Sequence, residues 1–204
     1  MLVLDHLAVA SETLAEGVAY VEAALGVSLT PGGQHTEMGT HNRLLGLEDG
    51  LYLEVIAIDP AAPAPTHARW FDLDHFSGPP RLTNWIARTE NLGAALTRAP
   101  AGSGVAMALS RGDLSWQMAV PDDGKLPFGG AFPALIEWQG SAHPAARLPS
   151  SGCRLTRLTI RHPQARALEA TLGALPEDSR VVIADGEPGF EARFDTPSGE
   201  RVLR

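Results

Sequence analysis

Three stretches decide the fold: Leu4-Asp5-His6-Leu7-Ala8-Val9-Ala10, Leu82-Thr83-Asn84-Trp85-Ile86-Ala87-Arg88 and Leu155-Thr156-Arg157-Leu158-Thr159-Ile160-Arg161. Each is a short apolar run of strand character, and they recur at roughly 75-residue intervals, too long for a solenoid repeat. After the first, Ser11 suits a helix cap, Leu14, Val18, Val21 and Leu25 recur at helical spacing, and Gly26 suits the stop. Pro31-Gly32-Gly33 reads as a turn behind a weak strand at 27–30. Residues 41–47 and 51–58 read as strands joined by Glu48-Asp49-Gly50. Residues 1–59 thus spell β-α-β-β-β.

The pattern restarts over 81–140, with strands at 82–88, 105–109, 114–120 and 132–138 and a helix at 91–98. It restarts again over 150–204, with strands at 154–160, 181–184, 190–194 and 201–203. There a helix stripe of Leu168, Leu172 and Leu175 follows Pro163. Between the first two units, residues 60–80 hold five prolines and Arg69-Trp70-Phe71-Asp72, a connection too aromatic for a plain linker and read as a lid. The fold class is α+β: repeated βαβββ modules, each a sheet with one helix on one face, paired so that their free faces form a cup.

Composition narrows the function. With a net charge of −8 the chain lacks the cations of a phosphate-binding cleft, so nucleic acid is not an expected partner. No apolar run spans a membrane, the first residues do not read as a signal peptide, and Cys153 has no second cysteine to pair with. The expectation is a protein of the reducing cytoplasm.

Strand alternation predicts what enters the cup. Val3, Asp5, Leu7 and Val9 share the helix-facing side, which turns His6 inward. Tyr52, Glu54, Ile56 and Ile58 share a face, placing one carboxylate in an apolar strand. Leu135-Ile136-Glu137-Trp138 repeats that feature, and Asn84 stands where the first unit has His6. By parity Trp85 and Trp138 face a helix, away from Asn84 and Glu137. A buried lone glutamate needs a partner or a metal. His6, Glu54 and Glu137 around an open position suit Zn²⁺, Mn²⁺, Fe²⁺ or Ni²⁺. The alternatives are a core histidine, and pairing of Glu54 with Arg43. His35 and His41 are candidates for the cup mouth, with His41, at the start of a strand, the better acid/base. Gln117 is a further polar candidate for the cup.

The residues Leu4-Asp5-His6-Leu7, Gly33-Gln34-His35, Gly39-Thr40-His41-Asn42, Tyr52-Leu53-Glu54, Asp59-Pro60 and the run from Pro121-Asp122-Asp123-Gly124 to Leu135-Ile136-Glu137-Trp138 resemble the vicinal oxygen chelate superfamily, in particular its glyoxalase-like members. The resemblance implies a divalent metal held by His6, Glu54 and Glu137. His41 and Glu137 are the candidate catalytic groups, and His35, Asn42, Asn84 and Gln117 the candidates to face a small oxygen-rich substrate. The chemistry would be of lyase, isomerase or dioxygenase type, in a homodimer, as is common in the superfamily. Asn84 departs from the usual His or Gln of the second module, which leaves a metal-free binding protein as the alternative. The third unit lacks both ligand positions, with Arg157 and Leu203 in their place, and reads as structural.

Overall fold

The computed structural model describes residues 2–173 and 178–204. Among the described residues twelve strands and three α-helices follow in chain order: β1 (Val3–Ala10), α1 (Leu14–Leu25), β2 (Thr30–His35), β3 (Thr40–Gly46), β4 (Tyr52–Ile58), β5 (Arg81–Arg88), α2 (Leu92–Leu96), β6 (Val105–Arg111), β7 (Leu114–Val120), β8 (Ala134–Gln139), β9 (Arg154–Arg161), α3 (Ala165–Leu172), β10 (Val181–Ala184), β11 (Gly189–Thr196) and β12 (Gly199–Leu203). Thr13, not Ser11, caps α1, its hydroxyl accepting from the Glu16 N–H, and Gly26 ends the helix at φ 72°. The predicted turn at Pro31-Gly32-Gly33 is part of β2, which tolerates it through an irregularity between Pro31 and Gln34 at the sheet's edge. Leu175 lies outside the described residues.

The first two units join edge to edge. β1 pairs antiparallel with β5, giving one eight-stranded sheet in the order β2-β3-β4-β1-β5-β8-β7-β6. The sheet curls until β2 approaches β6, and its concave side is the cup. Its convex side carries Leu7, Val9, Leu53, Val55, Trp85 and Leu135. α1 packs there, and so does a second sheet of order β10-β9-β11-β12. Leu155, Leu158, Ile160, Phe194 and Leu203 of that sheet belong to the same core as Leu4 and Trp85. The third unit therefore covers the outside of the cup. Its first strand is flanked by β10 and β11, unlike β1, which pairs with β4 and β5.

The three quoted stretches share a local device. In β1 the pairing with β5 slips between Leu4 and His6, leaving Asp5 as an extra residue. Such a bulge places two consecutive side chains on one face. Leu4 and Leu7 face the convex core, so Asp5 and His6 both turn into the cup. The same slip leaves Thr83 extra in β5 and Thr156 extra in β9. The expected outward placement of Asp5 fails here because strict alternation holds only in an unbulged strand.

Loop residues between β4 and β5 close the cup. Trp70–His75 forms a tight 3₁₀ segment in which Trp70, Phe71 and Leu73 are buried in the concave core. Phe71 and Asp72 adopt φ of 60° and 54°, a left-handed conformation disfavoured for a bulky residue. The Asp72 N–H donates to the Gly124 carbonyl at 2.9 Å, and the Arg69 side chain pairs with Asp74, which holds the segment in place.

Candidate functional site

The concave face encloses a cavity of about 30 Å³, lined by His6, His35, Asn42, Glu54, Arg111 and the rings of Tyr52, Trp70, Trp116 and Trp138 among others. It has room for no more than a couple of water molecules. Five strands bring its polar groups together: β1 gives His6, β3 gives Asn42, β4 gives Glu54, and β2 and β6 give His35 and Arg111, each at its last residue.

His6 is held between two carboxylates. Its Nδ1–H donates to Asp5 Oδ1 at 2.6 Å, and its Nε2 lies 3.5 Å from Glu54 Oε1. Its ring stacks on Tyr52 with centroids 4.3 Å apart. Burial alone would lower the imidazole pKa, but hydrogen bonds to Asp5 and Glu54 and their charges outweigh it and raise it to about 9. At neutral pH His6 is an imidazolium. Burial would raise the pKa of Asp5, yet hydrogen bonds from His143 and His6 drive it well below the carboxylate range. The Trp138 indole N–H also donates to Asp5, at 3.1 Å. His143 Nδ1 accepts from the Ala145 N–H, so the proton on Nε2 is the one directed at Asp5, 2.9 Å away. Asp5 is thus a fully buried anion that orients His6 from behind.

Asn42 fixes the other side of Glu54. Its Nδ2 donates to Glu54 Oε2 at 2.9 Å, while its Oδ1 accepts from the Gly33 N–H at 2.9 Å and from Arg111 at 3.2 Å. These contacts set the amide orientation without ambiguity. Burial would raise the pKa of Glu54, but the bond and charge of His6 and the Asn42 bond bring it below its ordinary value. A Cβ at Gly32 would collide with the Asn42 carbonyl oxygen, and one at Gly33 would meet Arg111 Cδ at 2.6 Å. The two glycines are therefore what lets β2 close against both groups. His35 Nδ1 bonds Thr40 Oγ1 at 3.0 Å, while its Nε2 faces Arg111 at 3.3 Å. Burial, with the charges of Arg111 and His6, lowers its pKa to about 4, so it is neutral and accepts through Nε2. Among the described residues Arg111 pairs with no carboxylate; its partners are His35 and Asn42.

Other expected site residues lie elsewhere. Glu137 is on the convex side of β8, where its Oε2 accepts from the Leu92 N–H at 2.6 Å and caps α2. Ile136 and Trp138 take the cup face instead, which reverses the expected parity of Trp138. His41 and Arg43 alternate with the inward Asn42 and Leu44, so His41 does not reach the cavity and Arg43, exposed, does not pair with Glu54. Trp116 and Met118 face the cup, which puts Gln117 outside it. Asn84 faces the concave side, but opposite Ala8 rather than beside His6, and lines a different cavity. The residues that alternation misses are Asp5 and Trp138. Tyr52 takes the inward face it shares with Glu54, as expected. His143, whose loop position beside Pro144 reads as solvated, instead bonds the buried Asp5, and nothing in the local sequence marks Arg111.

The donor set does not fit the expected metal centre. Among the described residues no group of three or more His, Cys, Asp and Glu side chains is placed to hold a cation. Of the expected ligands only His6 and Glu54 meet, His6 carries a proton on each nitrogen at neutral pH, and the other polar groups of the cavity, His35, Asn42 and the Arg111 guanidinium, add no carboxylate. Glu137→Ala tests the reassignment. The expected result is a loss of about 1 kcal/mol in urea denaturation, the worth of a helix cap, with ligand binding in the cup unchanged. A loss of cup binding would put Glu137 back at the site.

A family model for the glyoxalase-like domain matches residues 4–175. The chain belongs to the glyoxalase-like domain family. It is thereby a member of the vicinal oxygen chelate superfamily, in which divalent metals are common. A hypothetical protein from Staphylococcus aureus superposes with a TM-score of 0.62 over 93% of this chain and 88% of that one, at 13% identity, a likeness of fold. Methylmalonyl-CoA epimerase from Mycobacterium tuberculosis gives 0.43 over 68% and 88% of the chains, at 18% identity. The Streptomyces coelicolor epimerase in complex with 2-nitronate-propionyl-CoA gives 0.43 over 68% and 97%, at 14% identity. No curated protein matches this glyoxalase-like chain in sequence. Among the described residues no helix is long and apolar enough to cross a membrane.

Proposed function

We propose that this glyoxalase-like protein is an enzyme of the isomerase or lyase type that removes a proton from carbon beside a carbonyl in a small, oxygen-rich acid. One observation carries the reading: a carboxylate, an imidazolium and an otherwise unneutralised guanidinium face one cavity, each fixed from behind. Arg111 takes the carboxylate of the substrate. Glu54 takes the C–H proton, and the electron pair moves onto the carbonyl oxygen as an enolate. The His6 Nε2–H stabilises that oxygen and supplies a proton to it. An isomerase returns the proton to carbon; a lyase expels a leaving group from the adjacent carbon. Substrate entry requires the Trp70–Phe71 segment to lift, because the closed cavity is smaller than any such acid.

The aromatic lining supports a second reading, a sequestering protein that binds without turnover. The two separate on incubation with 2-oxobutanoate in D₂O, followed by proton NMR. Loss of the C3 proton signal at a rate well above the uncatalysed one is the expected result, and Arg111→Met raises KM by about tenfold or more. Saturable binding with no exchange by this acid, or by larger 2-oxo and 3-oxo acids, would sink the enzyme reading. Exchange that appears only with added Mn²⁺ or Ni²⁺ and disappears in His6→Ala would restore the metal-dependent form.

A further inference from the structure

We propose that β6 is a docking edge for a second copy of this chain, the two β6 strands pairing antiparallel about a two-fold axis at Met107. β6 ends the eight-stranded sheet, and among the described residues its backbone hydrogen-bonds to no strand but β7. The hairpin fixes which groups are free. Gly112-Asp113, with Gly112 at φ 60°, is a two-residue loop, so Arg111 and Leu114 form the hydrogen-bonded pair that closes it. Alternation along the ladder turns the N–H and C=O of Leu109, Met107 and Val105 toward β7. Those of Ala106, Ala108 and Ser110 point the other way, off the edge of the sheet. β2 comes against the Arg111 end of β6 through Gly33, whereas Val105, Ala106 and Ala108 are exposed.

The other sheet edges are guarded and this one is not. β2 carries Pro31 and an irregular register, β10 is four residues long, and β12 lies against α1, with the Tyr20 hydroxyl donating to the Arg204 carbonyl. Proline, irregularity, shortness and cover are what keep a free edge from pairing with another chain. Residues 105–110 hold no proline and no charge, and the β6–β7 register runs without a slip from Val105 to Arg111. Val105, at 60%, is the one large apolar side chain left exposed among the described residues. A second copy fits because the strip complements itself. About an axis at Met107, Ala106 exchanges hydrogen bonds with the partner's Ala108, and Ala108 with the partner's Ala106, both pairs small enough to pack closely. On the concave side Val105 faces the partner's Leu109 and Met107 faces the partner's Met107, apolar against apolar. Two molecules of net charge −8 repel each other, and an uncharged strip adds nothing to that repulsion at the contact.

Sedimentation velocity on the full chain, from about 5 to about 500 µM, is the test. The strip is narrow, at the low end of interface sizes, so the expected result is a weak monomer–dimer equilibrium half complete at roughly 10–100 µM. It should persist in about 0.5 M NaCl, because no ion pair holds it. Ala106→Pro removes an outward N–H and leaves the β6–β7 ladder whole, so it is expected to weaken dimerisation about tenfold or more with Tm unchanged. Val105→Lys, at the exposed start of the strand, places a charge on the edge and is expected to do the same, which decides the matter if the proline variant folds poorly. Met107→Cys sets two thiols opposite each other at a non-hydrogen-bonded pair, where strands lie closest, and diamide is expected to link them into a covalent dimer. A chain that stays monomeric at about 500 µM overturns the proposal. So does a dimer that persists in both Ala106→Pro and Val105→Lys, one that salt dissolves, or one that Met107→Cys does not cross-link.

Discussion

Asp5→Asn is expected to destabilise the protein by about 3–5 kcal/mol, the cost of removing one partner from a buried charge pair. Three donors converge on the two oxygens of this carboxylate, from His6, His143 and Trp138, with the Arg88 guanidinium 3.6 Å away. An amide has one oxygen, so its NH₂ would oppose another donor at a fully buried position. The pH dependence follows from the same network. His6 is raised from 6.5 to about 9 in the folded chain. Its stabilisation, about 3 kcal/mol, is fully present below pH 6.5 and is lost as pH rises through 9. Asp5 is lowered, so its contribution is present above its ordinary pKa and is lost as the solution becomes more acid. Wild type should be most stable near pH 6.5, because His35, lowered from 6.5 to about 4 in the fold, takes stability away as pH falls below 6.5. Urea denaturation at pH 6 and pH 9 is the measurement: a large loss between them in wild type, and a much smaller one in Asp5→Asn. Equal slopes in the two proteins, or a variant within 1 kcal/mol of wild type at pH 6 (well below the range expected for a broken buried pair), would show that the carboxylate does not hold the imidazolium.

The same residues show where the sequence could be read and where it could not. The modules were visible because their first strands repeat and because helix and strand periods alternate. His6 and Glu54 were correctly turned inward, since Leu7, Leu53 and Val55 must meet a helix or the second sheet. Asp5 was misplaced because a bulge is a property of pairing with β5, and the register between strands some 75 residues apart is not written in either. β8 reads identically in both parities: Ile136 and Trp138 are as apolar as Leu135, and Glu137 satisfies a helix end as well as it would a metal. Only the position of α2, whose Leu92 N–H needs an acceptor, decides between them. Arg111 came from the sheet closing on itself, a contact between its two edges that local periodicity does not encode.

Glu54→Gln is expected to lower the rate of C–H exchange by about 10²- to 10⁴-fold, the usual contribution of a positioned base, with KM nearly unchanged because Arg111 is untouched. Gln is close to isosteric, and its amide oxygen still accepts from Asn42 Nδ2, so the cavity keeps its shape. What changes is the electron pair: an amide takes no proton from carbon at neutral pH. The variant also removes one of the two anions that raise His6, so the imidazolium gives up its proton at lower pH than the wild-type value of about 9. That predicts a second signature. Wild-type exchange needs Glu54 ionised, which its lowered pKa ensures well into acid, and His6 protonated, so activity holds across neutral pH and falls as pH passes 9. In Glu54→Gln the residual activity should fall at lower pH, since acid and base are neighbours in one network. If Glu54→Gln exchanges within tenfold of wild type with the same alkaline limb, Glu54 is a partner that holds His6 in place and the proton is taken by another group.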